Sequence, residues 1–125
     1  MTSYLIDSDC AVYAMAGEIP ALRERIRICE PGQIALSTIS FAEIALGTEL
    51  GKPPSPQAIE AFLSQIPLLA FDEAAARAYS RLPFKRARFD RLLAGHALSI
   101  DATIVTNNED DFADVPNLRI ENWTK

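Results

Sequence analysis

The chain has 125 residues, 49% of them hydrophobic, which suits one compact domain spanning 1–125 and burying roughly two thirds of its unfolded surface. No apolar run approaches the ~20 residues of a membrane span, and no basic stretch leads into an apolar block at the N-terminus, so a cytoplasmic protein with no membrane partner is expected. The formal charge of −5 argues against a nonspecific nucleic-acid coat protein, whose binding rests on widespread phosphate neutralisation.

Tyr4 to Ile6 reads as a short strand ending at Asp7, after which Ser8 or Asp9 offers an N-cap for a helix carrying Ala11, Val12 and Met15 and closed by Gly17. Pro20 suits a first helical turn, and Leu22, Ile26 and Cys29 recur at helical spacing until the Pro31-Gly32 turn. Ile34 to Leu36 is a buried strand, followed by a helix opening at Ser40 with Phe41, Ile44, Ala45 and Thr48 on one face, closed by Gly51. The Pro53-Pro54-Ser55-Pro56 loop precedes a helix with Ile59, Phe62, Leu63 and Ile66 at i, i+3, i+4, i+7. Leu68 to Phe71 reads as a strand, and Asp72 caps a helix bearing Ala75, Ala78, Tyr79 and Leu82. Beyond Pro83 a basic loop reaches Phe89, another helix begins near Asp90, Ala102 to Val105 is a strand, Asn107-Asn108 a turn, and Leu118 to Ile120 a last strand. Cys10 and Cys29 form no CxxC pair and read as small buried hydrophobes.

Strands alternating with helices predict an α/β fold with a central parallel sheet of four to five strands, because consecutive parallel strands need a crossover. In such sheets ligands sit at the carboxyl ends of the strands. Those positions hold Asp7, Glu43 and Asp111, with Asp90 as a fourth candidate at the start of the helix feeding the Ala102 to Val105 strand. Each acid has a plainer reading. Glu43 completes a capping box with Ser40, Asp7 and Asp90 suit helix starts, and Asp111 falls in an acidic turn, Glu109-Asp110-Asp111.

If the four converge, pairs ~4 Å apart repel by about 4 kcal/mol at an effective dielectric of ~20, and a divalent cation is the natural compensation. All-oxygen ligands suit magnesium, with manganese as a substitute. One histidine and two unpaired cysteines cannot assemble a zinc site. His96 lies six positions past Asp90, about 120° round a helix, and is expected to pack rather than act as a base. Metal-activated water is then the expected nucleophile. Arg23, Arg25 and Arg27 form one basic stretch, and Lys85, Arg86, Arg88 and Arg91 a second; these are landing places for a polyanion or simply solvated faces.

Four segments in order, Tyr4-Leu-Ile-Asp7-Ser8, Ser37-Thr-Ile-Ser-Phe-Ala-Glu43, Phe89-Asp90-Arg-Leu-Leu-Ala-Gly-His, and Thr106-Asn-Asn-Glu-Asp-Asp111-Phe112 with Asn122-Trp123, make the chain resemble the PIN-domain ribonucleases, and within them the VapC toxins of bacterial toxin-antitoxin pairs. The resemblance implies a three-layer α/β/α fold and a magnesium-dependent ribonuclease with Asp7, Glu43, Asp90 and the more variable Asp111 as catalytic, metal-holding acids. By the same resemblance Ser8, Thr106 and Asn108 orient acids or water; Arg86, Arg88 and Arg91, from the second basic stretch, are the candidates to bind RNA. A VapB-like antitoxin and a homodimer are the implied protein partners. Asp9 stands where the family commonly has asparagine and stays outside the expected set. Three rivals remain: a haloacid-dehalogenase-like phosphatase using Asp7 as nucleophile, a receiver-like signalling domain, and a non-catalytic PIN-fold binding module. The first two need a late lysine, and the lysines here are Lys52, Lys85 and Lys125.

Overall fold

The computed structural model describes residues 2–83 and 89–125. Five strands, β1 (Tyr4–Ile6), β2 (Ile34–Ser37), β3 (Leu68–Leu69), β4 (Thr103–Val105) and β5 (Ile120–Glu121), form one sheet in the order β3-β2-β1-β4-β5. Every pairing is parallel. The helices are α1 (Ser8–Ala16), α2 (Pro20–Arg27), α3 (Thr38–Glu49), α4 (Pro56–Leu63), α5 (Glu73–Ser80) and α6 (Phe89–Ser99), with a short 3-10 helix at Glu109–Phe112.

Alternation along the strands sorts side chains between two cores. Ile6, Ile34, Leu36 and Val105 point into one, with Cys10, Leu22 and Ile59 from α1, α2 and α4. Leu5, Ala35 and Ile104 point into the other, with Leu93, Ala94 and Ala97 of α6. The result is the expected α/β/α sandwich. Its centre is β1, from which the chain first builds outward through β2 and β3 and then restarts on the opposite side at β4, placing the topological switch point between β1 and β4.

Several expectations change in detail, the last strand among them, which is Ile120–Glu121 rather than Leu118 to Ile120. The helix after β2 opens at Thr38 rather than Ser40, because Ser37 caps it, its hydroxyl accepting the Ile39 N–H at 3.0 Å. Strand passes into helix without a loop. This shortens β3 to Leu68–Leu69: its partner β2 ends at Ser37, and the Phe71 N–H turns instead to Thr38 Oγ1 at 3.0 Å. The first helix is capped by Asp7 rather than Ser8 or Asp9, with Asp7 Oδ1 accepting the Cys10 N–H at 2.9 Å. Gly17 ends that helix with a positive φ of 70°, a conformation that costs glycine least. Among the described residues no helix is long and apolar enough to cross a membrane.

Candidate active site

Asp7 follows β1 directly at the switch point. Its N–H donates to Val105 O at 3.0 Å, which ties it to the end of β4, and the residue is only 6% exposed. Burial pushes its carboxyl above the ordinary range, opposed by hydrogen bonds from the Thr106 hydroxyl and from Cys10, while the charge of Asp9 adds to the rise. Thr106 directly follows β4, the neighbouring strand, and is fully buried. Its Oγ1 accepts the Asn108 N–H at 2.9 Å, which leaves the hydroxyl proton free to point at Asp7.

Glu43 lies in the second turn of α3, not the first. With the cap supplied by Ser37, the capping box with Ser40 does not form; Ser40 is buried inside the helix, its hydroxyl without a hydrogen-bond partner among the described residues. Glu43 is thereby released to reach across to α1, where Ser8 Oγ donates to its Oε1 at 3.1 Å. Burial raises the pKa of Glu43, the Ser8 bond lowers it, and the charges of Asp90, Asp9 and Asp7 raise it further.

Asp90 stands in the first turn of α6, half-buried. Burial, then the charge of Asp111, the charge of Asp7, a hydrogen bond with Asp111 and the charge of Asp9 push its pKa up to about 6. Asp111 itself sits exposed on the 3-10 helix, which spacing in the sequence did not foretell. The four acids named from sequence therefore share one electrostatic field, although they lie at the N-cap of α1, on α3, on α6 and on the 3-10 helix after β4. Asp9 joins them as a fifth, exposed, its Oδ2 accepting Asn108 Nδ2 at 3.0 Å. Its position two residues past a strand-end aspartate was the available signal.

The other named residues divide. Ser8, Thr106 and Asn108 each bond a different acid, namely Glu43, Asp7 and Asp9. Arg91 is a correction to the expected RNA contacts: it is 4% exposed, its Nη1 donates to both carboxylate oxygens of Asp114 at 3.0 and 3.1 Å, and its Nη2 donates to Pro83 O at 2.8 Å. A guanidinium so engaged braces the chain around α6 rather than offering itself to phosphate. Arg86 and Arg88 lie outside the described residues. In the first basic stretch, Arg27 pairs with Glu24 at 2.6 Å and Arg25 with Glu121 at 3.2 Å, Arg25 also lying 4.5 Å over the Trp123 ring. His96 packs as expected, 2% exposed with Nδ1 2.8 Å from Ser37 Oγ.

Among the described residues, no lysine or arginine forms an ion pair with Asp7, Asp9, Glu43, Asp90 or Asp111. Nor, among them, is any group of three or more His, Cys, Asp or Glu side chains spaced as a ready-made metal cage. The oxygen donors of these acids suit a hard divalent cation. They do not fit zinc, which wants a closed set of nitrogen and sulfur ligands; Cys10 is buried with its thiol pKa pushed up by burial and by Asp7.

A model of the PIN domain matches residues 4–118 of the chain. The chain belongs to the PIN-domain family. Relatives named as VapC align over nearly all of this PIN domain. The tRNA(fMet)-specific endonuclease VapC of Shigella flexneri is 31% identical over 133 residues, covering 99% of this chain and 100% of the relative. Ribonuclease VapC2 of Rickettsia felis is 29% identical, covering 98% of each. Among solved structures, DNA-bound VapBC from Salmonella typhimurium contains a chain that superposes with a TM-score of 0.84 at 26% identity, covering 98% of this chain and 99% of that one. VapBC2 of Rickettsia felis, solved with a promoter DNA fragment, gives a TM-score of 0.82 at 26% identity over 98% of this chain and 99% of that one. The PIN assignment displaces the phosphatase and receiver readings, consistent with Asp7 being buried and held at the N-cap of α1.

Proposed function

We propose that this PIN domain is a magnesium-dependent endoribonuclease, the toxin of a toxin-antitoxin pair, with Asp7, Glu43, Asp90 and Asp111 as its working acids. The observation that supports the reading is that Asp7, Glu43, Asp90 and Asp111, from distant segments, feel one another's charge near the switch point. When bound, magnesium, or manganese in its place, would activate water and stabilise charge on the phosphoryl and leaving oxygens.

The protein's part is to hold acceptors in place. The Thr106 hydroxyl keeps Asp7 oriented and Asn108 keeps Thr106 oriented, while Ser8 turns Glu43 toward the cleft. Asp90 and Asp111, which are hydrogen-bonded to one another, would together offer carboxylate oxygens to a cation.

Asp90→Asn preserves shape and removes one charge. Cleavage of RNA is expected to fall by at least about 100-fold in this variant with the fold retained; unchanged cleavage would exclude Asp90. The products should carry 5′-phosphate and 3′-hydroxyl ends. Ends bearing a 2′,3′-cyclic phosphate would mean that the ribose hydroxyl attacked, and metal-activated water would be wrong. The same assay on total RNA separates an enzyme from a non-catalytic PIN binding module.

Initiator transfer RNA is the first substrate to test, since the Shigella flexneri and Salmonella typhimurium relatives are named for that specificity. A VapB-like antitoxin is the expected partner, as the similar structures are toxin-antitoxin complexes, and a homodimer belongs to the same proposal. Copurification with a small neighbouring gene product supports the toxin label; its absence removes that label and leaves the nuclease reading standing.

A further inference from the structure

His96 and Ser37 join the two helices that carry Glu43 and Asp90. Ser37 is fully buried at the junction of β2 and α3, and His96 lies on α6 within hydrogen-bond reach of its hydroxyl, at 2.8 Å. Because Ser37 Oγ already accepts the Ile39 N–H, its own proton needs an acceptor, and Nδ1 of His96 is the one the structure offers. The imidazole is then neutral with its proton on Nε2. Burial holds its pKa below the ordinary value, opposed by the carboxylate of Asp72. The Phe71 ring packs edge-on against it with centroids 5.8 Å apart, and the Phe71 N–H is held by Thr38 of the same helix start.

A leucine in that space would pack without demanding a polar partner, since a buried hydrogen bond adds little net stability but leaves a costly orphan when half of it is removed. What the bond adds is direction. The turn from β2 into α3 has no intervening loop, so the cap at Ser37 sets where the helix starts and with it the height of Glu43. On the other side, Gly95 brings α6 so close to α5 that a Cβ there would stand 2.7 Å from Tyr79 Cα; α6 has little room to slide.

We propose that His96 is a positioning residue: through Ser37 it sets the start of α3 against α6, and so the spacing between Glu43 and Asp90. The proposal rests on those two acids forming the metal site. It is tested by calorimetric titration of the RNA-free, full-length protein with manganese, alongside melting temperatures, in wild type, His96→Leu, His96→Asn and Ser37→Gly. His96→Leu and Ser37→Gly should each weaken manganese binding about 10-fold, the size of effect seen when a group that orients a metal ligand is lost. The double variant should be no weaker than either single one, because both remove the same bond. Asparagine can set Oδ1 where Nδ1 stood and take the Ser37 proton, so His96→Asn should bind within about 3-fold of wild type.

A folded His96→Leu with unchanged manganese affinity, or an asparagine that rescues no better than leucine, would overturn the proposal. If His96→Leu fails to fold, Ser37→Gly carries the same measurement, glycine being tolerated at an N-cap. Asp90→Asn serves as the control. Undiminished manganese binding in that variant would remove the metal site itself, a result distinct from failure at His96.

Discussion

In the metal-free protein Asp90 is half protonated near pH 6, because burial and its neighbours, Asp111 first, oppose its charge. Asp7 and Glu43 shift in the same direction, burial being the first cause in both. The folded state therefore holds protons that the unfolded chain has already lost at the same pH. The contribution of these three acids to stability falls as pH rises from the unfolded values, 3.8 for aspartate and 4.5 for glutamate, through about 6, and the buried His96, its pKa lowered, opposes it. The expected outcome is a higher melting temperature for metal-free protein at pH 5 than at pH 7, and a gain from added magnesium that is larger at pH 7. A melting temperature that drops on acidification from 7 to 5 would contradict it. Asp90→Asn should raise the metal-free melting temperature at pH 7 while abolishing cleavage, which distinguishes a strained functional acid from a stabilising one.

At the scale of elements, the start of α3 shows how a sequence signal can be locally sound and still lose. Ser40-Phe-Ala-Glu43 has the spacing of a capping box, but Ser37 at the end of β2 takes the cap first, and the helix is already running when Ser40 is reached. The burial of Ser40 and the freedom of Glu43 both follow. The contact of α5 with α6 is a second case, where the sequence offers only a glycine inside a helical pattern. Gly95→Ala should gain about 1 kcal/mol from helix propensity, yet its Cβ would meet Tyr79 Cα at 2.7 Å and Tyr79 N at 2.8 Å, and backbone cannot swing aside. A net loss of about 1 to 3 kcal/mol is expected from this overpacking, read by urea denaturation; a neutral or stabilising alanine would mean that the two helices separate easily.

Over the whole molecule, an acidic chain of formal charge −5 has to bring a polyanion to a negative cleft. The metal answers part of this repulsion. Arg86 and Arg88, in the segment 84–88, are proposed to answer another part, since Arg91 is committed to Asp114 and Pro83, and Arg25 and Arg27 of α2 pair with Glu121 and Glu24. Replacing Arg86 and Arg88 should weaken RNA binding and flatten its dependence on salt by about 0.7 in logarithmic slope per lost single-strand contact. An unchanged slope would take both out of the binding surface.

The periodicity of apolar residues, the turn residues and the caps were enough to place the helices and strands in order, because these signals act over a few neighbouring residues. They also put Asp7 directly after β1, since that position is local too. The sequence could not decide which acids meet or what else holds them. Asp9 joining the cleft, Thr106 reaching Asp7, Ser8 reaching Glu43, and Arg91 turning inward to Asp114 are contacts between segments far apart in the chain, except where Asp9 borders Asp7. Such contacts depend on the order of strands in the sheet and on burial, which alone makes a buried aspartate costly to charge and a buried arginine dependent on its partner. Local patterns carry no information on either.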